Sequence, residues 1–126
     1  MRVLQVIEPA YRATLEEQDD TVIWFTRALR AAGAPADVLL QGSAVSYAVK
    51  AQDASGLRLG AWQQAHPPAI AGELAALIAS GARVAAVKED LDERGIAARL
   101  LVADVELLGR KSLAALYGQY DRVWKW

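Results

Sequence analysis

The sequence predicts an α/β fold: a three-layer sandwich in which a mostly parallel five-stranded sheet carries helices on both faces. Short apolar runs at residues 3–7, 37–40, 84–87, 105–108 and 122–126 alternate with helix-like segments. The turns between them are short, and strands linked through helices pair in parallel. At 126 residues the chain has a one-domain length, so residues 1–126 read as one domain without repeat, low-complexity segment or linker.

Each element has its own signal. Residues 3–7 are apolar apart from Gln5 and stop at Glu8-Pro9, which reads as a strand buried on both faces. Thr14 and Glu17 have capping-box spacing, and Glu16, Asp19 and Asp20 suit the positive end of a helix dipole. A helix therefore starts near Thr14 or near Asp20, with Val22, Phe25, Leu29 and Ala32 as its apolar stripe. Gly33-Ala34-Pro35 ends it, and residues 37–40 form the second strand.

Ser43 reads as the N-cap of a short helix over residues 43–49. Residues 51–66 hold no sustained period and read as a mobile loop. Pro67-Pro68 suits a helix start, with Ile70, Leu74, Leu77 and Ile78 buried, and Ser80-Gly81 ends that helix. A third strand at 84–87 precedes a short helix with Asp90 and Glu93 at capping-box spacing and Gly95 at its end. The fourth strand falls around 105–108, Ser112 caps a helix to Leu116 or Tyr117, and 122–126 is the last strand.

Composition excludes several function classes. Fourteen Lys plus Arg against fifteen Asp plus Glu give a net charge of -1, so no positive field exists to hold a phosphate backbone. Direct nucleic-acid binding is therefore disfavoured. With no Cys, disulfides, thiolate nucleophiles, persulfide carriers and thiolate metal ligands are all excluded for this chain acting alone. A single His adds no basis for a metal centre, and nothing in the motifs calls for a cofactor. Apolar residues reach 54%, much of it alanine, which predicts a thin core with backbones in close approach. No apolar run approaches the roughly 18 residues of a membrane span, so a soluble, cytoplasmic protein is expected.

In an open parallel sheet, ligands gather beyond the carboxyl ends of the strands. The residues placed there are Glu8, Tyr11, Arg12, Gln41, Ser43, Lys88, Glu89, Asp90 and Asp104. Ser43, with the amides of its turn, reads either as an anion site or as a plain cap. Glu89 and Asp90 read either as an acid/base pair or as solvated capping residues. His66, immediately before Pro67-Pro68, reads as a surface residue or a titrating group. Two-residue periodicity puts Trp124 and Trp126 on one face of the last strand, as interface anchors or as core beneath a helix.

The stretch Val84-Ala85-Ala86-Val87-Lys88-Glu89-Asp90-Leu91-Asp92-Glu93-Arg94-Gly95-Ile96 carries a Glu-Asp-Leu-x-x-Arg-Gly pattern after a strand. With the turn at 41–45 and the ending Tyr120-Asp121-Arg122-Val123-Trp124-Lys125-Trp126, it resembles the DsrE/DsrF/DsrH-like family of sulfur-relay proteins, closest to its DsrH/TusB branch. The resemblance implies a compact α/β sandwich that assembles as a homo- or hetero-oligomer. It also implies a place in relays that hand persulfide sulfur between proteins.

In the family's carrier branch, the persulfide Cys ends the third strand, eight residues before the Gly of the Arg-Gly pair. Val87 occupies that place here, so the carrier role does not carry over. The implied role is an accessory subunit, not a catalyst alone, whose partners are Cys-bearing DsrE/DsrF-like proteins. Glu89, Asp90 and Arg94 match the branch motif, with Arg94 bridging to a neighbouring subunit or to an acidic group. A rival reading is a homo-oligomeric binding protein for a small anionic or sulfur-containing ligand, held by Glu8, Tyr11, Arg12, Ser43 and Lys88 beneath the 51–66 loop. A third is an enzyme built on carboxylates and His66.

Overall fold

The structure, a computed structural model, describes residues 1–11, 20–52 and 55–126. Five strands, β1 (Val3–Ile7), β2 (Ala36–Leu40), β5 (Val84–Val87), β6 (Glu106–Leu108) and β7 (Arg122–Lys125), form one sheet in the order β6-β5-β2-β1-β7. Every pairing is parallel. A separate hairpin pairs β3 (Arg58–Leu59) with β4 (Trp62–Gln63). The helices are α1 (Thr21–Ala31), α2 (Ile70–Ala79), α3 (Lys88–Glu93) and α4 (Leu113–Tyr117), and residues Gly42–Ala48 wind as a 3-10 helix after β2.

Strand alternation divides the core into two. Ile7, Val38, Leu40, Val84 and Ala86 face α1, the 3-10 segment and α2, forming the larger cluster with Ile23, Tyr47, Leu74 and Leu77. Leu4, Val6, Leu39, Ala85 and Val87 face the other way, beneath Leu116 of α4 and Tyr120. The second layer is thin because the five-residue α4 is the helix over it. Alanines at 85 and 86 let the layers approach closely there.

Several expected local features differ. The 3-10 segment has Gln41 as its N-cap, and Ser43 makes no capping bond. Proline amide hydrogens are missing at 67 and 68, but α2 starts only at Ile70, after Ala69. The buried positions of α1 are Val22, Ile23 and Thr26, whereas Phe25 and Leu29 are half-buried and Ala32 exposed. Asp20 caps α1, its Oδ1 accepting from the Val22 and Ile23 amides at 2.8 and 3.3 Å; Thr14 and Glu17 lie outside the described residues. The 51–66 stretch contains the β3-β4 hairpin. Ser112 precedes α4 without a side-chain cap.

The amino-terminal end of the sheet is laced by charge. Arg83 grips Glu106 bidentately, through Nε at 2.5 Å and Nη2 at 2.8 Å, and its Nη1 reaches Gln119 Oε1 at 2.9 Å. Asp37 accepts from the Arg83 amide and the Tyr120 hydroxyl, both at 2.8 Å.

The Arg83 guanidinium holds the Glu106 carboxyl below its ordinary range. A depressed folded value means the pair's stabilisation is full above the unfolded Glu pKa, and is lost as pH falls through the folded one. Glu106→Gln is therefore expected to destabilise the protein at neutral pH. The difference from the parent should shrink by about pH 3, read by urea unfolding at the two pH values.

Candidate functional site

The strand order runs from β1 outward through β2, β5 and β6, then returns to β7 on the far side of β1. The carboxyl ends of all five strands therefore share one rim, where most of the expected residues lie. Asp90 is at its centre. Because α3 starts directly at Lys88, with Val87 as its N-cap residue, Asp90 sits inside the first turn and does not cap it, contrary to the capping-box expectation.

Asp90 is only 8% exposed. Its Oδ2 accepts from the Gly42 amide at 2.8 Å, and its Oδ1 from Arg110 Nη2 at 2.8 Å. Glu89 Oε2 accepts from the Arg110 amide at 2.8 Å. Glu89's own amide, and then the Arg110 amide, hold its carboxyl below the usual range. Arg94 Nη1 donates to the Asp90 carbonyl at 3.1 Å, and Arg110 also lies 3.7 Å from Glu93. These contacts join the turns after β2, β5 and β6.

Gly42 is required at its place in this rim. It has φ +55, and a Cβ there would meet Glu8 Cγ at 3.2 Å. The Glu8 carbonyl also accepts from the Ala44 amide at 3.0 Å. Glu8 thus holds the 3-10 turn through its backbone.

A second cluster lies beside the first, where β1 ends. Tyr11 has φ +57, uncommon for a bulky residue. Its amide donates to Tyr47 Oη at 2.5 Å, its hydroxyl donates to Gln52 Oε1 at 2.9 Å, and its ring meets the Tyr47 ring edge-on at 5.0 Å. The buried Tyr47 hydroxyl donates to Asp20 Oδ2 at 2.7 Å. Burial first, and then the Asp20 carboxylate, push the Tyr47 phenol above its usual range, so it stays a neutral donor.

The other expected residues are more dispersed. Lys88 is exposed and pairs with Asp92 at 2.9 Å, which raises its pKa. Ser43 is exposed, as are Asp104 and His66. Arg12 lies outside the described residues. Trp124 is half-buried and stacks on Phe25 at 6.2 Å. Trp126 remains 44% exposed, with its indole N–H donating to Gln5 Oε1 at 2.7 Å. Sequence reading missed Arg110, Tyr47 and Gln52. Arg110 had a usable signal, since it follows the fourth strand by two residues.

Chemically, the centre of the rim around Asp90 is a set of polar groups already committed to one another. Both Asp90 oxygens are occupied, and Arg110 and Lys88 each face a carboxylate. Val87, at the mouth of β5, is 1% exposed and packs in the α4 cluster. Among the described residues, no group of three His, Asp or Glu is placed to hold a metal ion. A groove of about 310 Å³ lies elsewhere, between α1 and α2, lined by Arg27, Arg30, Leu77 and Ser80.

A family model for DsrE/DsrF-like proteins matches residues 10–126. The chain belongs to this family. Among solved structures, this DsrE/DsrF-like chain is similar to the YchN protein from E. coli, at 21% identity and TM-score 0.71, with 100% of both chains covered. It is also similar to MTH1491, a protein of unknown function from Methanobacterium thermoautotrophicum, at 15% identity and TM-score 0.67, covering 98% of this chain and 97% of that one. These likenesses establish the shared fold. No curated protein matches the chain. Among the described residues, no helix is long and apolar enough to cross a membrane.

Asp90→Ala is expected to cost about 1–3 kcal/mol, because it strands the Gly42 amide as well as Arg110. Arg110→Ala should cost less, and the Asp90–Arg110 coupling in a double-mutant cycle should be small because the guanidinium is half in water. Urea unfolding of the four proteins checks both expectations.

Proposed function

We propose that the chain is a non-catalytic subunit of a sulfur-relay assembly, nearest the DsrH/TusB branch of its family. It works in the cytoplasm as a homo-oligomer or beside Cys-bearing DsrE/DsrF-like proteins. Its contribution is surface and charge that position or shield a partner's thiol. The observation that carries the reading is Val87, buried at the end of β5, where the family's carrier branch has its persulfide Cys. A Val side chain has no atom that accepts sulfur.

The surrounding geometry supports the same role. The rim around Val87 is held rigid by Asp90, Glu89 and Arg110, with no unpaired nucleophile among those groups. Rigid, charged surface next to a filled thiol position suits docking better than turnover. Of the motif residues, Glu89 in α3 and Arg94 at its end reach that surface, and the buried Asp90 braces it from beneath.

Co-expression with DsrE-like and DsrF-like proteins of the same genome tests the proposal. A stable complex that co-purifies with this chain is the expected result. Reproducible absence of association, coupled with a stable homo-oligomer of this chain alone, would count against any role on a partner's thiol and overturn it.

Val87→Cys gives an independent prediction. The new thiol is expected to stay unlabelled by a disulfide reagent in the folded protein and to react fully in denaturant, because its site is buried in apolar surroundings that also raise a thiol pKa. Rapid labelling of the folded variant would show that the strand end opens to solvent.

A further inference from the structure

Gln5 is the one polar residue inside β1, and it is fully buried at 0% exposure. Strand alternation turns it to the α1 side of the sheet, the side of Ile7, between Val38 of β2 and Trp124 of β7 in the register. Its Oε1 accepts from the Trp126 indole N–H at 2.7 Å. Among the described residues, its Nε2 is the only buried side-chain nitrogen or oxygen without a hydrogen-bond partner. The amide is not free to turn over, since that would set its NH2 group against the indole N–H, donor against donor. The indole therefore fixes the amide in the one arrangement that leaves a donor unsatisfied.

Trp126 itself is lightly held. It lies one residue beyond β7, its amide donates to the Val6 carbonyl at 3.0 Å, and its ring meets the Phe25 ring edge-on at 6.2 Å. The residue stays 44% exposed. Closing the ring over Gln5 makes one neutral hydrogen bond, whose net contribution is small because water would otherwise make it. The same closure shuts an NH2 group away from water without a partner, which costs at least as much. The polar groups thus favour a lifted ring, with water at both ends of the amide. The apolar contact with Phe25 and the bond to Val6 favour a seated one. Opposed contributions of this kind give two states close enough in free energy to exchange.

We propose that Trp126 is a strap that lifts from Gln5 and reseats on it while the five-stranded sheet stays intact, because the unpaired Gln5 Nε2 leaves the seated state only a narrow margin. Lifting uncovers the whole Gln5 carboxamide, a donor and an acceptor set beside Trp124 on the same face of the sheet.

Hydrogen exchange by NMR on the full, isotope-labelled chain tests it. The Trp126 indole proton and the Gln5 side-chain amide protons are expected to exchange by local opening, at rates that low urea leaves unchanged. Amides at the centre of β1 should exchange only with global unfolding and speed up as urea is added. Gln5→Met supplies the sign, because it keeps the length of the side chain and removes the hydrogen bond and the unpaired donor together. The Trp126 backbone amide, bonded to Val6, should then exchange several-fold more slowly than in the parent, since seating the ring no longer buries an unmet donor. A plain Gln5 anchor would give the opposite change. Gln5→Leu serves if Gln5→Met does not fold. Unchanged or faster exchange of that amide in the variant, or parent Gln5 side-chain protons that follow global unfolding, would overturn the proposal.

Discussion

One carboxylate organises the rim of this protein. Asp90 is nearly buried, and its two oxygens reach in different directions, one to the turn after β2 and one to the turn after β6. A buried carboxylate is tolerated only where its lone pairs are satisfied. Here the partners come from separate crossovers, so satisfying the charge also fixes the relative placement of three strand ends. Gly42 is the necessary complement, because its positive φ and lack of a Cβ let its amide approach α3 while Glu8 packs against it.

The same arrangement limits what the rim can do. Acid/base work needs a group with a proton to exchange and room for a substrate. Both Asp90 oxygens are already held by donors, and Glu89 accepts from the Arg110 amide. Tyr47, the other buried polar group nearby, is engaged at once by Tyr11 and Asp20. The α1–α2 groove is no better placed, since the Arg30 guanidinium on its wall already donates to the Ser80 and Ala36 carbonyls at 3.0 Å. The described surface also carries exposed charged and apolar side chains.

The layer architecture was legible in the sequence because a buried parallel strand writes itself as a short apolar run, and each one here is bounded by a turn residue. Residues 3–7 and 84–87 needed nothing more. Cap positions were less legible. Ser43 and Asp90 have the right residue types at the right spacing, yet tertiary contacts decide where each carboxylate or hydroxyl goes. Asp90 turns away from its own helix because a glycine amide and an arginine from distant turns are close enough to take it. The hairpin was hidden for a related reason: two-residue strands are too short to show a period, and the only local sign was Gly60 between Leu59 and Trp62. Arg110 became visible only once the sheet placed its strand end next to that of β5.

The pairing of β1 with β7 joins the most distant parts of the chain, with the Arg2 amide reaching Asp121 across 119 positions. Closing so long a loop costs entropy that no neighbouring contact refunds beforehand. Docking of β7 is therefore expected to come late in folding. The Phe25–Trp124 stack forms only when that strand arrives, so in a variant whose other three tryptophans are replaced, the emission of Trp124 would record when the sheet acquires its fifth member.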